Sequence, residues 1–237
     1  MFKKDVCRLE KALLLENSVV GIRFLKTKNE FEKLPIEGLK AKINFCYMVR
    51  RAVRGKHFKA LAADFRCVNA VYALGLREPS NHVTSGEILS ICGLYENASV
   101  AKDVIDAMCY PQEQVYGVEI GPLRDMTSAD SVIIIANAMQ TMRIFQGYTY
   151  SCGPAENLLS MGNQAMCSDL VAKPLCHDDI NFSFFCRGAR LFGQCADGDL
   201  GVGMPAHMFS AVVNGVVKTL SPVETDKRKK KILQGLE

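Results

Sequence analysis

Apolar positions along the chain switch repeatedly between helical and alternating spacing, and the switching predicts the elements. Val6, Leu9, Leu13 and Leu14 recur at helical spacing over residues 5–16, after which residues 18–25 become β-branched and alternating, as a strand does. Residues 26–38 are polar with one proline and read as a loop. Residues 43–54 mix apolar and basic positions as an amphipathic helix would, and Gly55 stops it. A short strand is predicted over residues 58–63, then a helix through Val68, Val71, Tyr72 and Leu74 that closes at Gly75. Beyond the turn-rich stretch 77–93, Ser99 reads as the cap of a helix with the face Val100, Val104, Ile105 and Met108, ending before Pro111. Residues 115–120 return to strand character.

The second half starts a similar progression. Residues 131–136 (Ser-Val-Ile-Ile-Ile-Ala) are the clearest buried strand, followed by a helix from about residue 138 to Gly147. Residues 180–185 read as a strand running into Cys186, and residues 200–204 as a glycine-interrupted strand stopped by Pro205. Residues 207–220 form a strongly apolar helix, and Ser221-Pro-Val-Glu224 reads as a capping box opening a last short helix. This alternation predicts a single α/β or α+β domain over residues 1–237, a mixed sheet with flanking helices. Residues 19–24 align with 132–137, Gly55 with Gly147, and Cys67 with Cys167. The alignment implies half-repeats 1–112 and 113–220 followed by a basic helix at 221–237, and a duplication of that kind would gather paired cysteines near a twofold axis.

Composition narrows the chemistry. The chain has 237 residues, 49% of them hydrophobic, enough to build a core without cross-links, yet it carries ten cysteines. The apolar run in its first twenty residues, 12–15, is far shorter than a secretory hydrophobic region, and no run approaches the roughly 20 residues of a membrane span. A cytoplasmic protein with no membrane segment is expected, and thiols in a reducing compartment bind metals or clusters or carry redox chemistry. The net charge of +4 is partly concentrated in residues 227–231, and there is no tryptophan, which leaves little for a nucleic-acid surface. A small molecule or a redox protein is the expected partner, and a homodimer is compatible with the sequence.

Cys46, Cys67, Cys167 and Cys186 are the candidate metal ligands, each set in an apolar or glycine-marked segment. No pair has Cys-x-x-Cys spacing, so the fold itself must assemble any site. A soft all-thiolate set suits an iron–sulfur cluster or zinc, not magnesium or calcium. Structural zinc usually supports domains with small cores, so this chain points to a cluster, of 4Fe-4S type, with zinc as the alternative. With three ligands instead of four, the open iron could act as a Lewis acid. The competing reading is that free cysteines fill the core, and Cys7, Cys92 and Cys109 fit it.

In Cys186-Arg-Gly-Ala-Arg190, Gly188 permits close backbone approach to a thiolate, and Arg190 is placed to hold a carboxylate or phosphate, against a plain turn with surface arginines. Gly201-Val-Gly-Met-Pro205 lacks the spacing of a phosphate loop and reads as a turn into the apolar helix. Cys176-His177-Asp178-Asp179 gathers ligand-type residues, but adjacent side chains diverge. A nucleophilic pair of Cys46 with His57 stays open.

Asn44-Phe-Cys46-Tyr-Met-Val-Arg-Arg-Ala-Val-Arg-Gly55, Cys67 ahead of Leu74-Gly75-Leu76, Ala165-Met-Cys167, Cys186-Arg-Gly-Ala-Arg190 and Gly201-Val-Gly-Met-Pro205 together resemble the archaeal conserved-region (ArCR) family, domain of unknown function 169. The resemblance runs from about residue 18 to 220, with Cys-x-x-x-Arg-x-Ala-x-x-Gly and Cys-x-Gly-x-Arg as its more specific elements. It implies a cytoplasmic protein of anaerobic organisms and supports the choice of the four cysteines, and it implies no reaction. Cys92, Cys109, Cys152, Cys176 and Cys195 fall outside its pattern.

Overall fold

The strands are β1 (Val20–Leu25), β2 (Phe58–Leu61), β3 (Gly117–Pro122), β4 (Ser131–Asn137), β5 (Asn181–Ser183) and β6 (Asp199–Pro205). The principal helices are α1 (Lys3–Leu13), α2 (Phe45–Val53), α3 (Val68–Ala73), α4 (Ala98–Ala107) and α5 (Ala138–Cys152). They are followed by a π-helix (Ala165–Ala172), α6 (Lys173–His177), α7 (Arg187–Leu191), α8 (Phe209–Lys218) and α9 (Asp226–Leu236). The structure, a computed structural model, describes residues 2–111 and 113–236, without the side chains of residues 222 and 223. Among the described residues no helix is long and apolar enough to cross a membrane.

The strands form one sheet in the order β2-β3-β1-β4-β6-β5, with helices on both faces, and every ladder is antiparallel. The alternating pattern predicts a mixed sheet, and the difference has a simple cause. β1 and β2 run parallel across a helical crossover, but β3 is wedged between them and reverses each pairing; β4, β5 and β6 repeat the arrangement. Each half is a split β-α-β unit. The halves meet where β1 pairs with β4, at Val20–Ile133, Gly21–Val132 and Ile22–Ser131. The strand path therefore repeats over residues 20–122 and 131–205.

Strand alternation sends side chains to two cores. Val20, Ile22, Ile120, Ile133 and Ile135 face α2, α3 and the π-helix, whereas Val132, Ile134, Val202 and Met204 face α1, α5, α8 and α9. Fully burying each such aliphatic side chain is worth about 1.5–3 kcal/mol. α5 continues through Gly147 to Cys152, beyond the stop that this glycine predicts. Gly147 faces Gly215 of α8, where a Cβ on Gly215 would lie 1.9 Å from the Gly147 carbonyl oxygen, so this glycine serves a close helix crossing and not a terminus. The loop predicted at 26–38 contains a short helix, Lys28–Lys33, closed by a Thr27–Glu30 capping box.

Gly201 and Gly203 lie inside β6 and do not form a turn. A Cβ on Gly203 would stand 2.1 Å from the Leu170 carbonyl oxygen, so the bare strand lets the π-helix rest directly on the sheet. The predicted capping box at Ser221 also gives way. Glu224 is buried and pairs with Arg143 (3.2 Å) and Arg228 (3.0 Å), while the Arg228 amide donates to Thr225 Oγ1 ahead of α9. Arg143, fully buried in α5, also donates to Gln146, Thr219 and the Val216 carbonyl. This ion pair ties the basic C-terminal helix to the body.

Asp179 fastens the segment that leads to the π-helix. It accepts from Tyr148 Oη at 2.6 Å, from the Ile180 amide at 2.7 Å and from Asn157 Nδ2 at 3.2 Å. Burial pushes its carboxyl up, but the hydrogen bonds together outweigh burial and hold it below its ordinary value of 3.8.

Three outcomes are expected. Glu224→Ala strands the Arg143 guanidinium in the core and lowers stability by about 3–5 kcal/mol in urea unfolding, and the double variant Arg143→Met/Glu224→Met recovers much of the loss. Asp179 binds fewer protons folded than unfolded, so its contribution is present above its unfolded value of 3.8 and fades as pH falls through the lower folded value. Thermal unfolding of Asp179→Asn should show a lower Tm at neutral pH and a shallower acid decline. Gly203→Ala drives a methyl into the π-helix backbone and should cost about 1–3 kcal/mol or more by chemical denaturation, with Gly198→Ala, which has open space, as the neutral control.

Candidate metal centre

The four family-matching cysteines come from equivalent places in the two halves. Cys46 is in the first turn of α2 and Cys167 in the first turn of the π-helix, each of which precedes the outer strand of its half. Cys67 is the N-cap of α3 and Cys186 the N-cap of α7, each following that outer strand. The sequence register that pairs Cys67 with Cys167 is therefore replaced by Cys46 with Cys167 and Cys67 with Cys186. The helix α5 and the long segment after it are inserted in the second half, and they throw a linear alignment out of step.

All four thiols line one cavity of about 240 Å³ together with Phe45, Ala70, Leu89, Leu94, Asn163, Gln164, Met166, Arg187, Gly188 and Phe192. Cys167 is buried and the other three are half-buried. The Cys46 and Cys186 sulfurs flank Gly188 side by side. Interaction with the Cys46 thiol pulls the Cys186 thiol down to about 5, against the opposing effect of burial, and the amides of Ala189, Ala165 and Gly188 add to the pull. The same interaction, with burial and the neighbouring Cys167, Cys186 and Cys67, pushes Cys46 far up. Burial, then Cys67 and Cys186, raise Cys167 well above its ordinary value. One thiolate forms readily here, and gathering further thiolates requires a cation between them.

Two features leave room for such a group. A Cβ on Gly188 would lie 3.6 Å from Cys186 Sγ and 3.7 Å from Cys46 Sγ, so this glycine keeps the space between the two sulfurs open. Gln164 sits in the left-handed region (φ 50°), and both polar atoms of its buried carboxamide lack a hydrogen-bond partner. Its carbonyl accepts from Cys167 Sγ at 3.5 Å, which puts the residue at the edge of the thiol set. Among the described residues, no three His, Cys, Asp or Glu side chains close on a point as tightly as a single metal ion requires.

Arg190 is not an anion clamp. Its guanidinium donates to the carbonyls of Phe184 (2.9 Å), Asp199 (3.1 Å) and Ala196 and stacks on Phe185, which turns it inward to brace the loop after Cys186. His57 binds Glu119 at 2.8 Å and forms no pair with Cys46. In the Cys176–Asp179 run the two aspartates diverge, Asp179 to Tyr148 and Asp178 to His207, whereas His177 meets Cys109 on the side where Cys176 also lies. The core-filling reading fails for Cys92, which is exposed at a helix end, while Cys7, within α1, and Cys109, just after α4, are half-buried. Gln164 and the sheet-facing glycines of β6 escape a sequence reading; only the Gly-x-Gly spacing inside a strand pattern signals the latter.

Among curated proteins the chain is similar to the uncharacterized protein MJ0308 of Methanocaldococcus jannaschii, 23% identical over 217 residues that cover 90% of this chain and 93% of that one. No solved structure matches it. The profile of the family described as uncharacterised ArCR, DUF169, matches residues 8–215, which include all four cysteines of the cavity and the Gly-x-Gly of β6, and the chain belongs to that family.

Proposed function

We propose that this protein binds an iron–sulfur cluster, of 4Fe-4S type, through Cys46, Cys67, Cys167 and Cys186, and uses it in electron transfer or in a cluster-dependent reaction with a small molecule or a redox protein. The observation that carries this reading is the convergence of four thiols, two from each half, on one largely apolar cavity of about 240 Å³. Zinc would draw its thiolates to within about 2.3 Å of one point. A soft all-thiolate set in a chain with ample apolar core suits a polynuclear iron–sulfur group better than structural zinc, which remains the alternative. Such a cluster supplies one-electron chemistry, and the protein tunes it through burial and hydrogen bonds to sulfur. Here the Cys186 amides would donate to the ligand sulfur, Gly188 would keep the approach clear, and the Gln164 carboxamide would find a partner at the cluster edge. Arg187 and the exposed Phe192 line the same cavity and would face a redox partner or substrate.

The test is anaerobic purification with iron, zinc and acid-labile sulfide analysis and an absorption spectrum, on the wild type, Cys46→Ser and Cys167→Ser. Stoichiometric iron and sulfide with broad visible absorption, lost in both variants while circular dichroism stays unchanged, is the expected result. Zinc without sulfide, or an absence of metal in folded protein, would overturn it.

A further inference from the structure

A second set of thiols lies outside the four-cysteine cavity. Cys109, just beyond α4, places its Sγ 3.1 Å from Nε2 of His177 at the end of α6, and Lys173 Nζ is 3.0 Å from the same nitrogen. Cys176 is adjacent to His177 in α6 and lines the same cavity as Cys109, close enough for Cys109 to push its thiol up. Cys109 and Cys176 both line a cavity of about 710 Å³, and its walls include Phe24, Leu74, Met108 and Leu175 with Lys26 and Asp106. Two cysteines far apart in sequence thus meet at a ligand-sized cavity beside a base. Buried structural thiols do not take up that arrangement.

We propose that Cys109 and Cys176 form a redox-active dithiol that reduces a low-molecular-weight disulfide held in this cavity. Cys109 is the attacking group because its proton has an acceptor, His177 Nε2, at hydrogen-bond distance. Its sulfur bonds to one sulfur of the ligand, the ligand S–S bond breaks, and the leaving thiolate takes the proton from His177. The Cys176 sulfur then displaces the second ligand thiol from the mixed disulfide and forms a Cys109–Cys176 bond. The protein loses two electrons and two protons, and the ligand gains both. Burial, then the neighbouring Cys109, push the Cys176 thiol up to about 12, so Cys109 and not Cys176 attacks first; in the second step the Cys176 proton passes to the ligand sulfur that it displaces, which leaves as a thiol. Lys173 Nζ competes for the same imidazole lone pair and gives it up when Nε2 takes the Cys109 proton, after which its charge faces the leaving thiolate. The walls supply apolar surface for the body of the ligand, and Lys26 and Asp106 offer charge of both signs for its polar ends. This site stands independently of what the four-cysteine cavity holds.

The test treats the full chain with oxidised glutathione, quenches with acid and maps the cysteines by mass spectrometry. The wild type should yield a peptide pair linked through Cys109 and Cys176 and release two thiols per chain, and dithiothreitol should reverse the bond. Cys176→Ser should stop at a glutathione adduct on Cys109, and His177→Gln should slow that adduct by about tenfold or more. Cys109→Ser should abolish the linked pair. The exposed Cys92 and Cys152 serve as internal controls. Adducts forming at these controls as fast as at Cys109, or a wild type that gives no Cys109–Cys176 link, would overturn the proposal.

Discussion

Three residue pairs between β1 and β4 join the two halves of this protein, and the cysteine site depends on them. Each half carries one cysteine at the start of its crossover helix and one at the N-cap after its outer strand. Neither half alone can close a four-thiol set. Antiparallel pairing of the two central strands brings the equivalent helices together over one face of the sheet, where Val20, Ile22, Ile133 and Ile135 pack beneath them. The register matters as much as the pairing. A slip by one residue would turn these four side chains to the opposite core and carry the helices, with their sulfurs, off their common footing.

Packing sets how near the sulfurs come. On the second half, Gly201 and Gly203 let the π-helix lie against the strand backbone, and Leu170 occupies the space that side chains would take. On the first half, α2 rests on ordinary side chains, with Phe45, Met48, Val49 and Ala52 buried on its inner face. The opposite face of the sheet is held by the glycine crossing of α5 and α8 and by the Arg143–Glu224 pair. Those contacts are remote from the thiols and act on them only by fixing the sheet on which the helices stand.

Much of this was legible in the sequence where one physical signal dominated. The run at 131–136 is so apolar that only a buried central strand accommodates it, and β4 is that strand. The alternation of strands and helices gives the layered arrangement with helices on both faces, and the apolar stripe of residues 43–54 gives α2. What escaped was non-local. The wedging of β3 between β1 and β2 reflects competition among strands for neighbours, which no window of residues encodes. The four cysteines could be chosen from their segments, but their true pairing by halves could not, because α5 and the segment after it break the alignment. Arg190 misleads for a related reason: its residue type suits an anion, whereas the backbone carbonyls of Phe184, Ala196 and Asp199 claim its guanidinium.

The departures from twofold equivalence fall at the site itself. Gln164, with its left-handed backbone and unpartnered carboxamide, belongs to the inserted segment that leads into the π-helix. Asp179 secures that segment through Tyr148 and Asn157. Among the four sulfurs, Cys186 lies beside Gly188 with the amides of Ala189, Ala165 and Gly188 pulling its thiol down, whereas burial and the neighbouring sulfurs push Cys46 and Cys167 up. Four residues of one type are thus inequivalent in electrostatics. A group bound among them would meet hydrogen-bond donors on the Cys186 and Gln164 side and mainly apolar surface, Phe45 and Ala70, on the other. A cavity with one polar flank directs where negative charge gathers on whatever it holds, so its reactivity is set by the inserted segment as much as by the four cysteines.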